Sequence, residues 1–224
     1  MVISVREMAG VFFGRKPMEE FATKRYPVFD GVVNYAVALV FPGILLIMEY
    51  LLLMAVSGYI VGQSPLHLIK EVAIWGFGLA FLLVATLVAD LVLAYVWGAV
   101  HFFIAKFYAG MPGKLNDFNG SWLSLMGSIV LVQALLFTLP VLAWFIGPII
   151  KIGTTATMIL TAVAILPQAV VLLYSVFLVY NFMRARFCIP SQRAAIVVLA
   201  PLLAVLVIMV IFFAIGGAAY FMLK

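Results

Sequence analysis

The chain has 224 residues, of which 67% are apolar and only 9% charged, where soluble domains run at roughly half and a quarter. Its 13 Lys and Arg and 8 Asp and Glu cannot clothe a soluble surface, so the composition is that of an integral membrane protein. One Cys and two His exclude an intrachain disulfide, a dithiol redox motif and a structural zinc or iron–sulfur site. With no Gly-rich phosphate loop and no Ser/His/Asp spacing, the chain is expected to be no enzyme and to need no cofactor or metal. The net charge of +5 does not point to nucleic acid, because the basic residues flank apolar runs instead of clustering on one polar face.

The first 31 residues form a basic arm. Val2, Val5, Ala9 and Phe12 fall at helical spacing, as do Met18, Phe21 and Ala22 after Pro17, which suits a first helical turn. The arm is expected as one or two short amphipathic helices on the cytoplasmic surface, with Arg15, Lys16, Lys24 and Arg25 toward lipid headgroups. It lacks the uninterrupted apolar stretch and cleavage site of a secretory signal.

Residues 32–224 are expected to be one all-α transmembrane domain, a polytopic bundle of five spans at about 32–61, 72–105, 122–147, 153–183 and 194–223. The first ends in Gly62-Gln63-Ser64-Pro65, a turn signal, and Gly58 with Gly62 reads as a helix terminus more than as a GxxxG packing motif. Pro42, Pro140, Pro167 and Pro201 are expected to kink four of the spans. Ten Lys and Arg lie in the arm and in the segments after spans two and four, against Lys70, Lys151 and Lys224 on the other side. That bias places the N-terminus in the cytoplasm and the C-terminus outside. Trp122, Trp144, Tyr59 and Tyr220 fall near span boundaries and suit the aromatic belts.

Ionisable groups inside spans are expensive and each is a functional hypothesis. Glu49 and Asp90 count to roughly 22–26 Å from the cytoplasmic ends of their helices, with Gln133 and Gln168 at comparable depth. These four residues are candidates for a polar layer at the midplane. Two readings stay open: the carboxyl groups relay a proton or bind a cation with the amides as neutral ligands, or one is protonated by burial and fixes helix register through a hydrogen bond. On span two, Thr86, Asp90, Ala94, Gly98, His101 and Ala105 share one helical face, which would let a neighbouring helix approach closely. Thr157, Thr161, Ala164, Gln168 and Ser175 make a similar face on span four. Spans two and four are therefore expected at the centre of the bundle and span five at its lipid-facing edge. His101 reads as a packed hydrogen-bond donor more than as a pH switch.

The segment from Lys106 to Ser121 is expected as an irregular loop, since Gly110, Pro112, Gly113 and Gly120 alternate with Asn116, Asp117 and Asn119. Lys106, Lys114, Asn116, Asp117 and Phe118 are its candidate contact residues. The competing reading is a plain connector. A lipid-acting enzyme would have to pair His101 with Asp117 across this loop, and no nucleophile accompanies them.

Five spans in this loop order, with several local stretches, resemble the Yip1-domain family of membrane proteins, in particular its short prokaryotic or archaeal kind. Phe13 to Phe21, FGRKPMEEF, resembles the proline-then-aromatic lead into the first span. Val100 to Gly113, VHFFIAKFYAGMPG, resembles the end of the second span. Leu139-Pro140 falls where the third span carries a proline, and Tyr174 to Ala194, YSVFLVYNFMRARFCIPSQRA, resembles the aromatic end of span four with the lead into span five. The resemblance implies a multi-pass membrane protein without catalysis that organises membrane partners or lipids, in the plasma membrane if the source is prokaryotic. The family's eukaryotic members, linked to vesicle trafficking and small GTPases, carry a long soluble N-terminal region in place of this short arm, so no residue here is assigned to a GTPase. Membrane lipids, a membrane or cytoplasmic protein and a second copy of the chain are the partners compatible with this reading. The alternative is a small proton- or cation-coupled transporter or channel using the intramembrane carboxylates.

Overall fold

The computed structural model describes residues 4–14, 17–109, 113–149 and 153–222. Val2, Arg15, Lys16, Gly110, Pro112, Lys151 and Lys224, named above, lie outside the described residues, as do the side chains of Val5, Trp144 and Tyr220. The described residues form seven helices in chain order: α1 (Val5–Phe12), α2 (Met18–Thr23), α3 (Val28–Ile60), α4 (Pro65–Ala109), α5 (Leu115–Ile149), α6 (Thr154–Phe187) and α7 (Ser191–Met222). The last five are long and apolar enough to cross a membrane, so the protein is an all-α, multi-pass membrane protein.

Local chemistry sets the helix ends. At the end of α3, Gly62 takes a left-handed φ of 81°. The Gln63 N–H then reaches the Gly58 carbonyl at 3.0 Å and the Gly62 N–H that of Tyr59 at 3.1 Å, a glycine-dependent helix stop. Two residues past Gly62, the Ser64 hydroxyl accepts from the His67 N–H at 3.4 Å and Pro65 occupies the first helical position, where a missing N–H costs nothing. A contact of 3.2 Å between His67 and Glu71 joins adjacent turns. Span two therefore starts at Pro65 and not at 72, and Lys70-Glu71 form its second turn. At 45 residues, α4 is roughly 68 Å long and projects beyond the hydrocarbon layer. α6 closes on Cys188, the only non-glycine residue with positive φ among those described, and Pro190 then precedes α7.

In a membrane, helices gain little from leaving lipid, so backbone approach and hydrogen bonds decide which helices pack. The sequence reading put spans two and four at the centre; the structure puts α5 there. Helices α1, α3, α4 and α6 all pack on α5, and α5 buries 39% of its most apolar stretch against none for α4. The reason is the run Gly120, Ser121, Ser124, Gly127 and Ser128, which keeps α5 slim toward α3. A Cβ on Gly31 would lie 2.5 Å from the Gly120 carbonyl oxygen, and one on Gly127 would lie 3.2 Å from the Asn34 carbonyl oxygen. Between these crossings the buried Asn34 amide donates to Ser124 Oγ at 2.9 Å, and that hydroxyl donates to the Gly120 carbonyl at 3.0 Å. α7 packs chiefly on α6 and α4, at the edge of the bundle, as its uniformly apolar sequence suggested.

The small-residue face of α4 is a packing seam over its C-terminal half alone. Trp122 of α5 donates from Nε1 to the Ala94 carbonyl at 2.8 Å, and a Cβ on Gly98 would meet Trp122 Cδ1 at 2.5 Å. His101 is buried, its Nδ1 2.9 Å from the Trp97 carbonyl and its ring stacked on Trp122 at 4.8 Å. Thr86, at the other end of the stripe, is exposed. Trp122 is consequently a core residue, fully buried, and not part of an aromatic belt; the α5 start at Leu115 carries it about two turns inside the bundle. Tyr59, 79% exposed, keeps the position expected of a belt residue.

Candidate functional site

Two regions collect polar chemistry: a cleft within the spans and the end of the bundle where the N-terminal arm docks.

The cleft holds about 530 Å³ between α4, α5 and α6 and is lined by Asp90, Gln133 and Gln168 together with apolar side chains such as Val130 and Phe137. Three of the four residues expected in a polar layer thus meet. Gln168 Nε2 donates toward the Leu136 carbonyl at 3.5 Å. The hydroxyl groups on the same side of α6 bond back into their own helix: Thr157 to Gly153, Thr161 to Thr157 and Ser175 to Val171.

Glu49 does not join them. Gly43 opposes Leu83, Leu51 opposes Gly76 and Gly58 opposes Leu68, so the antiparallel α3–α4 register sets Glu49 opposite Phe77. That level is about 13 residues, roughly 20 Å, from Asp90. The common depth inferred from the sequence fails because α4 runs on past the start of α3: Gly98, not Ala105, stands level with Val28. Glu49 Oε1 is buried without a hydrogen-bond partner among the described residues.

Between the cleft and the end where the arm docks lies a block of aromatic side chains. Phe102, Phe118, Trp122, Phe182 and Phe187 are all buried, with ring centroids 5.5 Å apart for Phe102–Phe118 and Phe118–Phe187 and 5.9 Å for Phe118–Trp122 and Phe118–Phe182. The expected contact loop is largely absent as a consequence. Lys106 lies in the last turns of α4, its Nζ 5.8 Å from the Phe102 ring, and Asn116, Asp117 and Phe118 form the first turn of α5. Phe118 is 1% exposed and contacts nothing outside the bundle; Lys114, Asn116 and Lys106 remain exposed. Asn119, read as a loop residue, is fully buried beside Gly98. Polar residues at a helix start and in a loop are the same residues, which is why the segment reads as irregular.

The arm forms both short helices, but its apolar side is spent on the bundle and not on lipid. Ser4 and Glu7 make a reciprocal capping box at the start of α1, a sequence signal legible in Ser-x-x-Glu. Met8, Val11, Phe12, Phe21 and Ala22 are buried. Phe12 meets Tyr174 edge to face at 5.2 Å, twelve residues and roughly 18 Å of helix before Arg186, so α1 reaches down a groove of the bundle. Arg186 fastens the other end. Its guanidinium donates to the carbonyl groups of Ala22 at 2.7 Å and Lys24 at 3.4 Å and to that of Asp117 at 3.0 Å. One planar fork thereby ties the end of α2 to the start of α5, geometry that lysine cannot reproduce. Among the residues the sequence reading missed, Arg186 has the largest role; it stood out only as a basic residue near the end of a span.

Tyr26, 5% exposed, locks the junction between arm and α3. Burial first, and then the charges of Glu7 and Glu20, push its phenol above the ordinary 10.0. The folded chain holds this proton where the unfolded chain has lost it, so the stabilisation is complete below about pH 10 and is lost as pH rises through the folded value. Protease resistance of the arm is expected to stay constant up to about pH 9 and to fall above about pH 10, and Tyr26→Phe is expected to flatten that fall.

No family model, no curated protein and no solved structure matches this chain.

Proposed function

We propose that this is a non-enzymatic membrane protein, similar in role to the Yip1-domain family, which organises lipids and membrane partners from its cytoplasmic face. The observation that carries the reading is the docking of the arm by Arg186, which converts a basic N-terminal segment and the ends of α4, α5 and α6 into one fixed surface. Arg6, Arg25, Lys106, Lys114, Arg184 and Arg193 are all exposed there, the charge pattern that anionic leaflet lipids attract. A block of buried aromatic rings fills the space between α4, α5 and α6 at the end where the arm docks, which favours a scaffold over a carrier.

Photo-crosslinkers at Lys114 and Phe13, both exposed, test it in native membranes. Enriched capture of anionic lipid or of one protein is the expected result. Capture indistinguishable from that of a probe at Phe77, on the lipid-facing side of α4, would remove the basis for the reading.

The cleft of Asp90, Gln133 and Gln168 favours a second reading, proton or cation passage. In proteoliposomes the scaffold reading expects no flux above that of empty vesicles. Flux that disappears in Asp90→Asn, with the unfolding temperature unchanged, would replace it with the transport reading; Glu49→Gln is expected to leave any such flux intact, because Glu49 stands about 20 Å away along the helices.

A further inference from the structure

A second cavity, of about 270 Å³, opens at the cytoplasmic end where the arm, the start of α5 and the end of α6 meet. Its polar wall carries Arg25, Lys114 and Arg186, and Phe102, Phe118 and Phe187 line its apolar side. The three cations arrive from three separate segments of the chain. Arg25 and Lys114 are exposed at the rim, where solvent moderates the repulsion between like charges, and Arg186 is the fixed cation of the three. Arg186 cannot turn away, being held by the carbonyl groups of Ala22 and Asp117, and Arg25 is near enough for the two charges to repel.

Among the described residues no carboxylate lies within ion-pair distance of Arg25, Lys114 or Arg186. Asp117 is the one acid on the wall, and with its charge counted the cavity still carries an excess of two positive charges. An anion with several acceptor oxygens fits this arrangement better than a single carboxylate does, because guanidinium and ammonium groups can divide between its oxygens. The surroundings add an apolar requirement. Phe103 and Phe107, on the same helix as the cavity residue Phe102, are 59% and 84% exposed.

We propose that the cavity bounded by Arg25, Lys114 and Arg186 binds a terminal phosphate group with several unesterified oxygens, the chemistry shared by the monoester headgroup of phosphatidate and by free inorganic phosphate. The site rests on the reading of the cytoplasmic end as a lipid-contact surface and gives that surface a ligand class. Detergent-purified full-length protein is titrated with phosphatidate, with phosphatidylcholine and with inorganic phosphate, binding being read by native mass spectrometry and by the shift in unfolding temperature. Phosphatidate is expected to bind about tenfold or more tightly than phosphatidylcholine. The double variant Arg25→Ala/Lys114→Ala, which alters exposed side chains only and spares Arg186, is expected to lose that preference, whereas Lys70→Ala at the opposite end is expected to retain it.

Inorganic phosphate that competes at the same concentration as phosphatidate would support the phosphate site and assign it to a free ligand. Equal binding of phosphatidate by the double variant and the parent, or no preference in the parent, would overturn the site. In that event anionic lipid captured from Lys114 and Phe13 in membranes would leave the broader scaffold reading standing, and its absence there would remove both.

Discussion

Gly120→Ala is expected to cost more than any other single-methyl change in the chain. A Cβ at that position would overlap the Tyr26 carbonyl oxygen and stand 2.8 Å from that of Pro27. Those atoms are backbone at the start of α3 and cannot turn aside, so α3 must leave α5. Overpacking a membrane or soluble core costs about 1–3 kcal/mol, and a collision between two backbones belongs at or beyond the upper end. The unfolding temperature should drop by roughly 10 °C. Gly10→Ala makes the matched comparison. A Cβ there would find nothing within 4 Å, and the helix α1 should gain about 0.5–1 kcal/mol. Opposite signs for the same substitution are the expected thermal-unfolding result; equal and small effects would contradict the close packing of α3 on α5.

Arg186→Ala is expected to release the arm without unfolding the five spans. The Ala22 and Asp117 carbonyl groups each lose a charged donor. Hydrogen bonds to charged groups contribute about 1.5–3 kcal/mol, and since this guanidinium is only half buried, about 2 kcal/mol for the fork is the appropriate scale. Limited proteolysis should then cut between residues 14 and 27 about 30-fold faster, with the remaining core intact. Arg186→Lys should recover only a part, because an ammonium group cannot reach both carbonyl groups in one plane. A Lys variant as resistant as the parent would show that charge alone holds the arm.

What the sequence disclosed and what it concealed divide along physical lines. Span number and the edge position of α7 follow from run length and uniform apolarity, which are local properties. The stop at Gly62 and the capping box at Ser4 and Glu7 are likewise written in a few adjacent residues. Depth was not local. Placing Glu49 beside Asp90 required knowing that α4 overruns the start of α3 by about 11 residues, which depends on where two antiparallel helices cross. The centre of the bundle was hidden for a related reason: the Thr86 to Ala105 stripe looked like the tightest seam, but it faces one neighbour, whereas Gly120 to Ser128 sits where α3 crosses and Asn119 and Trp122 meet α4 on the adjoining side. The arm showed its amphipathic spacing plainly. That its apolar side meets Tyr174 and Phe182 instead of lipid, and that Arg186 fastens it, are contacts between residues more than 150 positions apart and leave no trace in a local pattern.

The functional reading depends on one property above all, that the arm, the basic cavity and the ends of α4, α5 and α6 lie together on the cytoplasmic side. Cys188, the sole cysteine, is exposed at the corner between α6 and α7 and reports that side directly. In intact cells a membrane-impermeant maleimide should leave Cys188 unmodified and should modify it once the membrane is permeabilised. A cysteine placed at Ser64, in the turn between α3 and α4, with Cys188→Ser, should react in intact cells. The reverse pattern, Cys188 reacting from outside, would put the docked arm and its cations on the wrong face and contradict the account.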